Sequence, residues 1–250
     1  MVDVEAEQGE LDPAIKALLT PKFLDYALHV SPKYRYIYIV NPKVGCSSII
    51  WTLQRLETGK KDKFPPRVGT IHDREGSPLK RPSDMNSNEQ ILRDDSYFKF
   101  TFVRNPFDRL MSCYLNKIAR PTAQRKVILS LLDRPQDETA SISFAQFVDV
   151  IGRQSPIEMD PHWRTQWVQT LQDWVQYDAI GRFEFFDSEL SRIGTQISPE
   201  FRSFVFSERR QATGAKPYHL ITPKLAETIR EIYAVDFTGF NYPLTVPNPR

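Results

Sequence analysis

Two short apolar runs constrain the fold more than any other feature of the chain. Residues 36–40, YIYIV, and residues 98–103, FKFTFV, are rich in β-branched and aromatic side chains. The first run is continuous, as expected for a strand that is buried on both faces of a parallel sheet. An Asn-Pro pair follows each run closely, and helical spacing comes next. A strand–loop–helix unit that occurs twice predicts an α/β fold with a mostly parallel central sheet flanked by helices.

Local signals mark further helices. Asp12 as N-cap and Pro13 at the first helical position predict a short helix over residues 12–19. Ser143 precedes apolar residues with the spacing of one helix face, and the Thr-Pro pair at 222–223 begins a similar pattern. We also predict a helix over 47–56, capped by Ser47 or Ser48, and a helix over 106–118. A strand is predicted over 177–183. The tryptophans at positions 163, 167 and 174 recur with helical spacing, which predicts that they pack in the core.

Length and composition favour one globular unit. The chain has 250 residues, of which 40% are hydrophobic, and this suits a single domain over 1–250 with a frayed tail at 1–10. Residues 58–95 are polar and rich in Pro, Lys and Arg. We interpret them as a long excursion with a short strand near 68–71, and loops of this length are often functional.

The overall charge bears on one class of function. The 33 basic and 31 acidic residues leave a net charge of +2, which argues against bulk nucleic-acid binding as the main role. Any anion site must therefore be built locally.

The cysteine content and hydropathy bear on the compartment. Cys46 and Cys113 are the only cysteines, so we expect no disulfide framework and a reducing compartment. No apolar run approaches the roughly 20 residues that span a membrane, and the acidic N-terminus has no apolar signal core. We therefore expect a cytoplasmic protein without a transmembrane segment. Peripheral membrane association, a missing anchor and the oligomeric state stay open.

The first loop, residues 41–48, reads NPKVGCSS and joins a predicted strand to a helix N-terminus. Such a junction presents unpaired backbone N–H groups and the positive end of the helix dipole to an anion. Gly45 allows close approach of the backbone, and Lys43 adds a charge. An ordinary capped strand–helix turn would explain the same composition. The loop is not a Walker A motif, because Lys43 precedes the only glycine, and this disfavours a nucleotide hydrolase or kinase.

The second loop lies in residues 102–114, FVRNPFDRLMSCY. Arg104 ends the strand, where its planar fork can grip a phosphate, and Ser112 lies about two helical turns further on. The structural alternative pairs Arg104 with Asp108 and leaves Ser112 on a solvated face. Carboxyl ends of strands in an open parallel sheet meet at one crevice, so two anion loops there suit a ligand with phosphates at both ends of a nucleoside.

The two loops resemble motifs of a known family. Residues 42–48 resemble the 5′-phosphosulfate loop of the carbohydrate sulfotransferases, and residues 102–114 resemble their 3′-phosphate motif. The likeness is to the group that includes chondroitin 4-O- and HNK-1 sulfotransferases, and it extends to residues 160–166, 177–184 and 232–242. The chain lacks the anchor and the extra cysteines near residues 180–182 of Golgi members, which favours a bacterial or otherwise cytosolic member.

The resemblance implies a P-loop-like three-layer α/β fold and 3′-phosphoadenosine-5′-phosphosulfate (PAPS) as donor. It also implies transfer to a hydroxyl of a carbohydrate or similar acceptor by in-line displacement. Lys43 is expected to stabilise the charge that develops on the leaving phosphate. No metal is expected, since the loops supply positive charge. The implied donor-binding residues are Lys43, Val44, Gly45, Cys46, Ser47, Ser48, Arg104 and Ser112.

The acceptor hydroxyl needs a base, and histidine suits neutral pH. His72 lies in the segment between the loops, where the relatives carry a base histidine, and Asp73 or Glu75 could orient it. A solvated loop histidine is the structural alternative. His162 is the second candidate for the base, and with Arg164 it also suits a wall of the acceptor site.

Several further possibilities remain open from the sequence. His29 and His219 are interpreted as structural or surface residues. The basic stretch that holds Arg209, Arg210 and Lys216 could fold over the nucleotide, grip an anionic acceptor or form a solvated loop. A P-loop-type nucleotide kinase and a non-catalytic nucleotide-binding protein are the alternative functions.

Overall fold

The computed structural model describes residues 12–61, 71–135, 140–206 and 216–247. Its sheet has four strands in the order β1-β2-β3-β4. Strands β2, β3 and β4 run parallel, and β1 pairs antiparallel with β2 at one edge. The strands are β1 (Leu28–Ser31), β2 (Tyr36–Ile39), β3 (Phe98–Val103) and β4 (Ala179–Arg182).

Helices account for most of the other regular structure in these residues. They are α1 (Pro13–Leu18), α2 (Pro21–Ala27), α3 (Cys46–Thr58), α4 (Pro106–Cys113), α5 (Ala123–Leu131), α6 (Phe144–Ile151), α7 (Gln166–Gln169), α8 (Phe186–Ile197), α9 (Pro223–Ile232) and α10 (Ala234–Gly239). Short 3₁₀ turns connect several of them. None of the helices in the described ranges is long and apolar enough to cross a membrane.

Both faces of strand β2 are covered, which explains its continuous apolar sequence. Tyr36 and Tyr38 join a core cluster with residues of α3 and α8. Ile37 and Ile39 point the other way and join a cluster with residues of α1 and α2. Successive strand side chains face opposite sides of a sheet, so the run serves two cores at once. The α/β prediction with a mostly parallel sheet flanked by helices is confirmed.

A third core lies beyond the carboxyl end of strand β3. Helices α4, α5, α6, α9 and α10 contribute most of its buried side chains, among them Phe107, Phe147 and Phe237. This helical layer packs against the outgoing end of the sheet. It therefore positions whatever the loops at that end carry.

Several elements predicted from local signals are confirmed. Strand β3 covers residues 98–103 as predicted, and β4 lies within the predicted strand. Asp12 caps α1 through its carboxylate, which accepts the N–H of Ala14 at 2.7 Å. Ser143 forms a reciprocal capping box with Gln146, and Thr222 caps α9. These signals worked because each depends on contacts within one turn of chain.

Other predictions need correction. The N-cap of α3 is Gly45 and not Ser47 or Ser48, which lie in the first turn of the helix. The helix predicted over 106–118 is α-helical only to Cys113 and then widens into a π-helix, Tyr114–Ile118. The π turn adds one residue to the repeat and changes the direction of the side chains beyond it.

The region of the tryptophans is less helical than predicted. Only Gln166–Gln169 forms an α-helix there; Thr170 is its C-cap, and Leu171 follows with a φ of +55°. Trp163 lies in a turn, although it is fully buried as expected. Of the predicted strand over 68–71, only Ile71 is described, and it lies in a turn. The predicted tail at 1–10 lies outside the described residues.

Close packing of strands β3 and β4 predicts a stability effect. Gly181 is paired with Phe102, and a Cβ on Gly181 would lie 2.5 Å from the Phe102 ring. We expect Gly181→Ala to lower the free energy of unfolding by about 1–3 kcal/mol, since overpacking forces the ring or strand to move. Denaturant unfolding measures this. Gly76→Ala is the control, because a Cβ there meets no atom within 4 Å, and equal losses in both variants would contradict the packing argument.

Candidate functional site

The two loops predicted to bind anions emerge side by side from the parallel strands β2 and β3. The guanidinium of Arg104 in the second loop donates from Nη1 to the carbonyl oxygen of Lys43 in the first loop, at 2.9 Å. The structure therefore brings together two loops that lie about 60 residues apart in the chain. Their meeting follows from the parallel pairing of the strands that carry them.

The fully buried side chain of Gln166 fixes the spacing of the two strand ends. Its amide nitrogen donates to the carbonyl of Arg104 at 2.8 Å, and its oxygen accepts the N–H of Arg104 at 2.9 Å. The same oxygen accepts from the side chain of Asn41 at 2.9 Å. The amide thus continues the hydrogen-bond ladder beyond the end of β3, in place of a strand residue.

Asp236 holds Gln166 in turn. Its carboxylate accepts the backbone N–H groups of Gln166 at 2.8 Å and of Trp167 at 2.9 Å. Burial raises the pKa of Asp236 to about 6, against the lowering effect of these hydrogen bonds. The carboxylate therefore caps the short helix α7 from α10, and it ties the third core to the strand ends.

The guanidinium of Arg109 clamps the first loop to a second segment. It is 1% exposed and donates from Nε to the carbonyl of Pro42 at 3.0 Å. From its other nitrogens it donates to the carbonyls of Pro161 at 3.0 Å and Arg164 at 2.7 Å. Pro42 directly precedes Lys43, and Pro161 directly precedes His162. One buried side chain therefore sets the positions of both residues.

The backbone of the first loop is unusual at two positions. Gly45 has a φ of +82°, and a Cβ there would lie 2.7 Å from the Phe186 ring. Lys43 has a φ of +76° although it is not a glycine. A non-glycine residue in this region costs of order 1–3 kcal/mol and persists only where its surroundings enforce it. The clamp from Arg109 and the hydrogen bond from Arg104 supply that constraint.

The ammonium group of Lys43 lies in an electropositive setting. Its pKa is lowered to about 8, mainly by burial; the charges of Arg104 and Lys117 act in the same direction, and the nearby thiols oppose them. Lys117 belongs to the π-helix that follows α4. An anion bound here would favour the charged form of Lys43. The site therefore has the charge distribution of an anion site.

Arg104 itself is 7% exposed and keeps donor capacity. Its Nε is buried and has no hydrogen-bond partner among the described residues. Burial lowers the pKa of Arg104, while Asp108 and Glu184 raise it. The structural alternative, a salt bridge between Arg104 and Asp108, does not form. The carboxylate of Asp108 instead accepts hydrogen bonds from Lys216 and Tyr218. Arg209 and Arg210 lie outside the described residues.

The other polar residues expected to bind the donor lie in the first turn of α3 and the last turn of α4. Ser47 and Ser48 are half-buried in the first turn of α3, and Cys46 is its first residue. Ser112 is half-buried in the last turn of α4. Both cysteines of the chain are free thiols.

His72 reaches the first loop from the segment that follows α3. Its Nε2 lies 3.0 Å from the hydroxyl oxygen of Ser47. Desolvation lowers the pKa of His72, and the charges of His162 and Lys117 add to this effect. The expectation that Asp73 or Glu75 orients His72 is not met, because neither carboxylate forms a hydrogen bond or ion pair with the ring among the described residues. The Asp73 carboxylate accepts the N–H of Glu75 at 3.0 Å.

His162 lies beside the same loops and has a carboxylate partner. Its Nδ1 lies 2.7 Å from Oδ1 of Asp160, and its side chain is 22% exposed. Desolvation lowers the pKa of His162 despite the raising effect of Asp160, and the charges of Lys117 and Lys43 lower it further. The imidazole is therefore neutral at pH 7.

Arg164 is not part of this group. Its guanidinium is buried and donates to the carbonyls of Pro156 at 2.9 Å and Met159 at 2.8 Å, and to the side chain of Gln169 at 3.0 Å. Its donors stabilise the turn that precedes His162. This geometry supports a structural contribution in place of the acceptor contact expected from the sequence.

Sequence reasoning assigned no role to Arg109, Gln166, Asp236, Asp160 or Lys117. Arg109 carries a usable signal, because it falls among the apolar residues of an otherwise buried helix face. Asp160 is also local, since it pairs with His162 two residues further on. Gln166, Asp236 and Lys117 depend on partners far away in the chain. Within the described ranges, no cluster of three or more His, Cys, Asp or Glu side chains is arranged to hold a metal ion.

The clamp predicts that Arg109→Lys destabilises the protein. Lysine cannot reach three carbonyls with one ammonium group, so at least one buried oxygen loses its donor. We expect the free energy of unfolding to fall by about 2–4 kcal/mol in denaturant titrations. Arg153→Lys is the matched control, because Arg153 forms an exposed pair with Asp149, and such pairs contribute little. A loss no larger than the control's would contradict the clamp.

Comparison with curated proteins shows several relatives of the same kind. Carbohydrate sulfotransferase 14 of Homo sapiens is 28% identical over 229 residues, which are 86% of this chain and 60% of the relative. Carbohydrate sulfotransferase 11 of Danio rerio is 26% identical over 91% of this chain and 70% of the relative. Carbohydrate sulfotransferase 8 of Mus musculus is 27% identical over 90% of this chain and 58% of the relative.

The family match covers more of the chain than the chain covers of its first relatives. The chain spans about 60% of the length of the first curated relatives that it matches. No solved structure matches the chain significantly. The model of the family described as "Sulfotransferase family" matches residues 26–243, which include both strands and both anion loops. With this match over most of its length, the chain belongs to the sulfotransferase family.

Proposed function

We propose that this protein transfers a sulfuryl group from PAPS to a hydroxyl of a carbohydrate or similar acceptor. Family membership and the names of the relatives, which are carbohydrate sulfotransferases, support this function. The observation that carries it is the contact between the loops, in which Arg104 holds the backbone of Lys43. The two loops that we assign to anion binding are therefore in direct contact.

The residues present fit such a donor. The unpartnered Nε of Arg104 offers a buried donor to a phosphate. The N-terminus of α3, which has no side-chain cap, presents the positive end of its dipole to the first loop. We assign Arg104 and Ser112 to the 3′-phosphate. We assign the first loop to the 5′-phosphosulfate: Lys43, Val44, Gly45, Cys46, Ser47 and Ser48.

The chemistry requires little more than positioning and charge. When bound, the donor supplies an activated sulfuryl group. Lys43 stabilises the negative charge that develops on the bridging oxygen, and the N-terminus of α3 adds its dipole. The strained, clamped loop holds the ammonium group in place before reaction, which lowers the cost of reorganisation. Transfer by in-line displacement needs the acceptor hydroxyl on the opposite side of the sulfur.

A histidine takes the proton from that hydroxyl. His72, the base expected from the sequence, contacts the first loop through Ser47, and His162 lies within electrostatic range of Lys43. Both imidazoles have a lowered pKa and are neutral at pH 7. A neutral imidazole near this pH is suited to accept a proton.

No observation favours the nucleotide kinase. The lysine of the first loop precedes its glycine, whereas a Walker A motif has the reverse order. A non-catalytic nucleotide-binding protein would use the same loops but would release the donor unchanged.

A transfer assay tests the function directly. The protein is incubated without metal with sulfur-labelled PAPS and a panel of glycans, lipids and small phenols. We expect label in at least one glycan, and thermal stabilisation by the desulfated product 3′-phosphoadenosine-5′-phosphate. A parallel incubation with ATP and Mg²⁺ tests the kinase. Product binding without transfer would identify a non-catalytic binder, and neither binding nor transfer would overturn the proposal.

The pKa of Lys43 predicts how donor affinity depends on pH. The folded protein holds this pKa near 8, so the ammonium group loses its proton as the pH rises above 8. An anionic ligand binds the charged form better, and its affinity should then fall by up to about tenfold per pH unit. Calorimetric titration with 3′-phosphoadenosine-5′-phosphate between pH 7 and 9.5 measures this.

Lys43→Arg is the matched variant, because arginine stays charged over the whole range. We expect its affinity to change little with pH, whatever its absolute value. A wild-type affinity that stays constant to pH 9.5 would show that Lys43 does not contact the anion.

A further inference from the structure

Two histidines lie near the first loop, but only His162 has a carboxylate partner that can orient it as a general base. Nδ1 of His162 lies 2.7 Å from the Asp160 carboxylate, whose same oxygen accepts the His162 backbone N–H at 2.9 Å. Hydrogen bonds from His162 lower the pKa of Asp160, although desolvation raises it, so the carboxylate is ionised. An ionised carboxylate only accepts hydrogen bonds, and Nδ1 must therefore carry the ring hydrogen. This leaves a lone pair on Nε2.

The rest of the segment holds this imidazole rigidly. Arg109 binds the carbonyls on either side of the His162–Trp163 pair, at Pro161 and Arg164. The carbonyl of Trp163 accepts the Tyr233 hydroxyl at 2.6 Å, and its buried indole donates to Gln154 at 2.9 Å. Because the same Arg109 side chain binds Pro42, the position of His162 is coupled to that of Lys43.

His72 is placed differently. Its Nε2 is engaged with the hydroxyl of Ser47, a residue assigned to the donor. No described carboxylate bonds to its ring. Its segment is attached through Arg74, which donates to the carbonyl of Leu28 at 2.6 Å and contacts the ring of His29. This geometry suits a residue that orients Ser47 toward the donor.

We propose that His162 is the residue that takes the proton from the acceptor hydroxyl, with Asp160 as its positioning residue and His72 as a donor-loop residue. The proposal rests on the proposed function. Nε2 of His162 accepts the hydroxyl proton while the acceptor oxygen forms its bond to sulfur. The bond from sulfur to the bridging oxygen breaks, and its electron pair leaves with the phosphate. The imidazolium, stabilised by Asp160, then returns its proton to solvent.

The charges around the ring support this role. Asp160 faces it from its own turn, Lys43 from the first loop, Lys117 from the π-helix and His72 from the segment after α3. Desolvation and the two lysines hold the pKa of His162 below the usual 6.5. The ring is thus deprotonated at neutral pH, and the Asp160 carboxylate stabilises the charge that appears on proton transfer.

Kinetic variants separate the two histidines. With saturating PAPS and the best glycan of the panel, we expect His162→Gln to lower kcat by about 100-fold or more. Its affinity for 3′-phosphoadenosine-5′-phosphate, measured by calorimetry, should stay within about threefold of wild type, which also shows that the variant folds. His72→Gln should mainly raise the Kd for this ligand and the KM for PAPS. His219→Gln is the control for a histidine exposed on the surface.

The pH dependence tests the role of Asp160. Because Asp160 raises the pKa of His162 and Lys117 lowers it, Asp160→Asn should move the acidic limb of kcat to lower pH. Lys117→Gln should move it to higher pH. Nitrogen NMR of the His162 ring should show the Nδ1-protonated neutral form at pH 7 and the same two shifts of its pKa, without any acceptor.

Three results would overturn the proposal without affecting the proposed function. These are a kcat that survives in His162→Gln but is lost in His72→Gln, an Nε2-protonated ring, and an acidic limb that neither variant moves. Loss of ligand binding by the wild-type protein would instead contradict the proposed function.

Discussion

The buried guanidinium of Arg109 is the contact on which the geometry of the site depends. Burying a charge is costly unless every donor finds a partner, and three backbone carbonyls from two loops satisfy this one. The carbonyls belong to Pro42 before Lys43 and to the turn that carries His162. Arg109 thus fixes the first loop relative to the turn that carries His162. It lies in α4, the helix that begins in the second loop.

A second network completes this frame. Gln166 occupies the end of the sheet between Asn41 and Arg104, and Asp236 holds it from the C-terminal helix. The network is buried and its backbone partners are satisfied, so moving any member would leave polar groups without partners. Such a frame can hold Lys43 in a left-handed backbone conformation that would otherwise relax. The site therefore combines a strained backbone at Lys43 with hydrogen bonds from residues that lie far away in the chain.

Much of the fold was predictable because its signals are local. The run at residues 98–103 became β3 with the same bounds, since β-branched and aromatic side chains suit a buried strand. The caps of α1, α6 and α9 were predictable because a cap needs only three or four neighbouring residues. The N-cap of α3 was not, because the need for glycine at position 45 depends in part on Phe186 of α8, whose ring a Cβ there would meet at 2.7 Å.

The sequence by itself determined the α/β class and the place of the two loops at strand ends, since periodicity and short motifs encode these features. Only the tertiary structure decided which side chains hold the two loops in position and surround the histidines. Arg109 reached the carbonyl of Pro42, Gln166 reached the end of β3, and the π-helix directed Lys117 toward His162. Hydrogen-bond partners and desolvation arise from segments far apart in the chain, and no local pattern specifies which segments will meet.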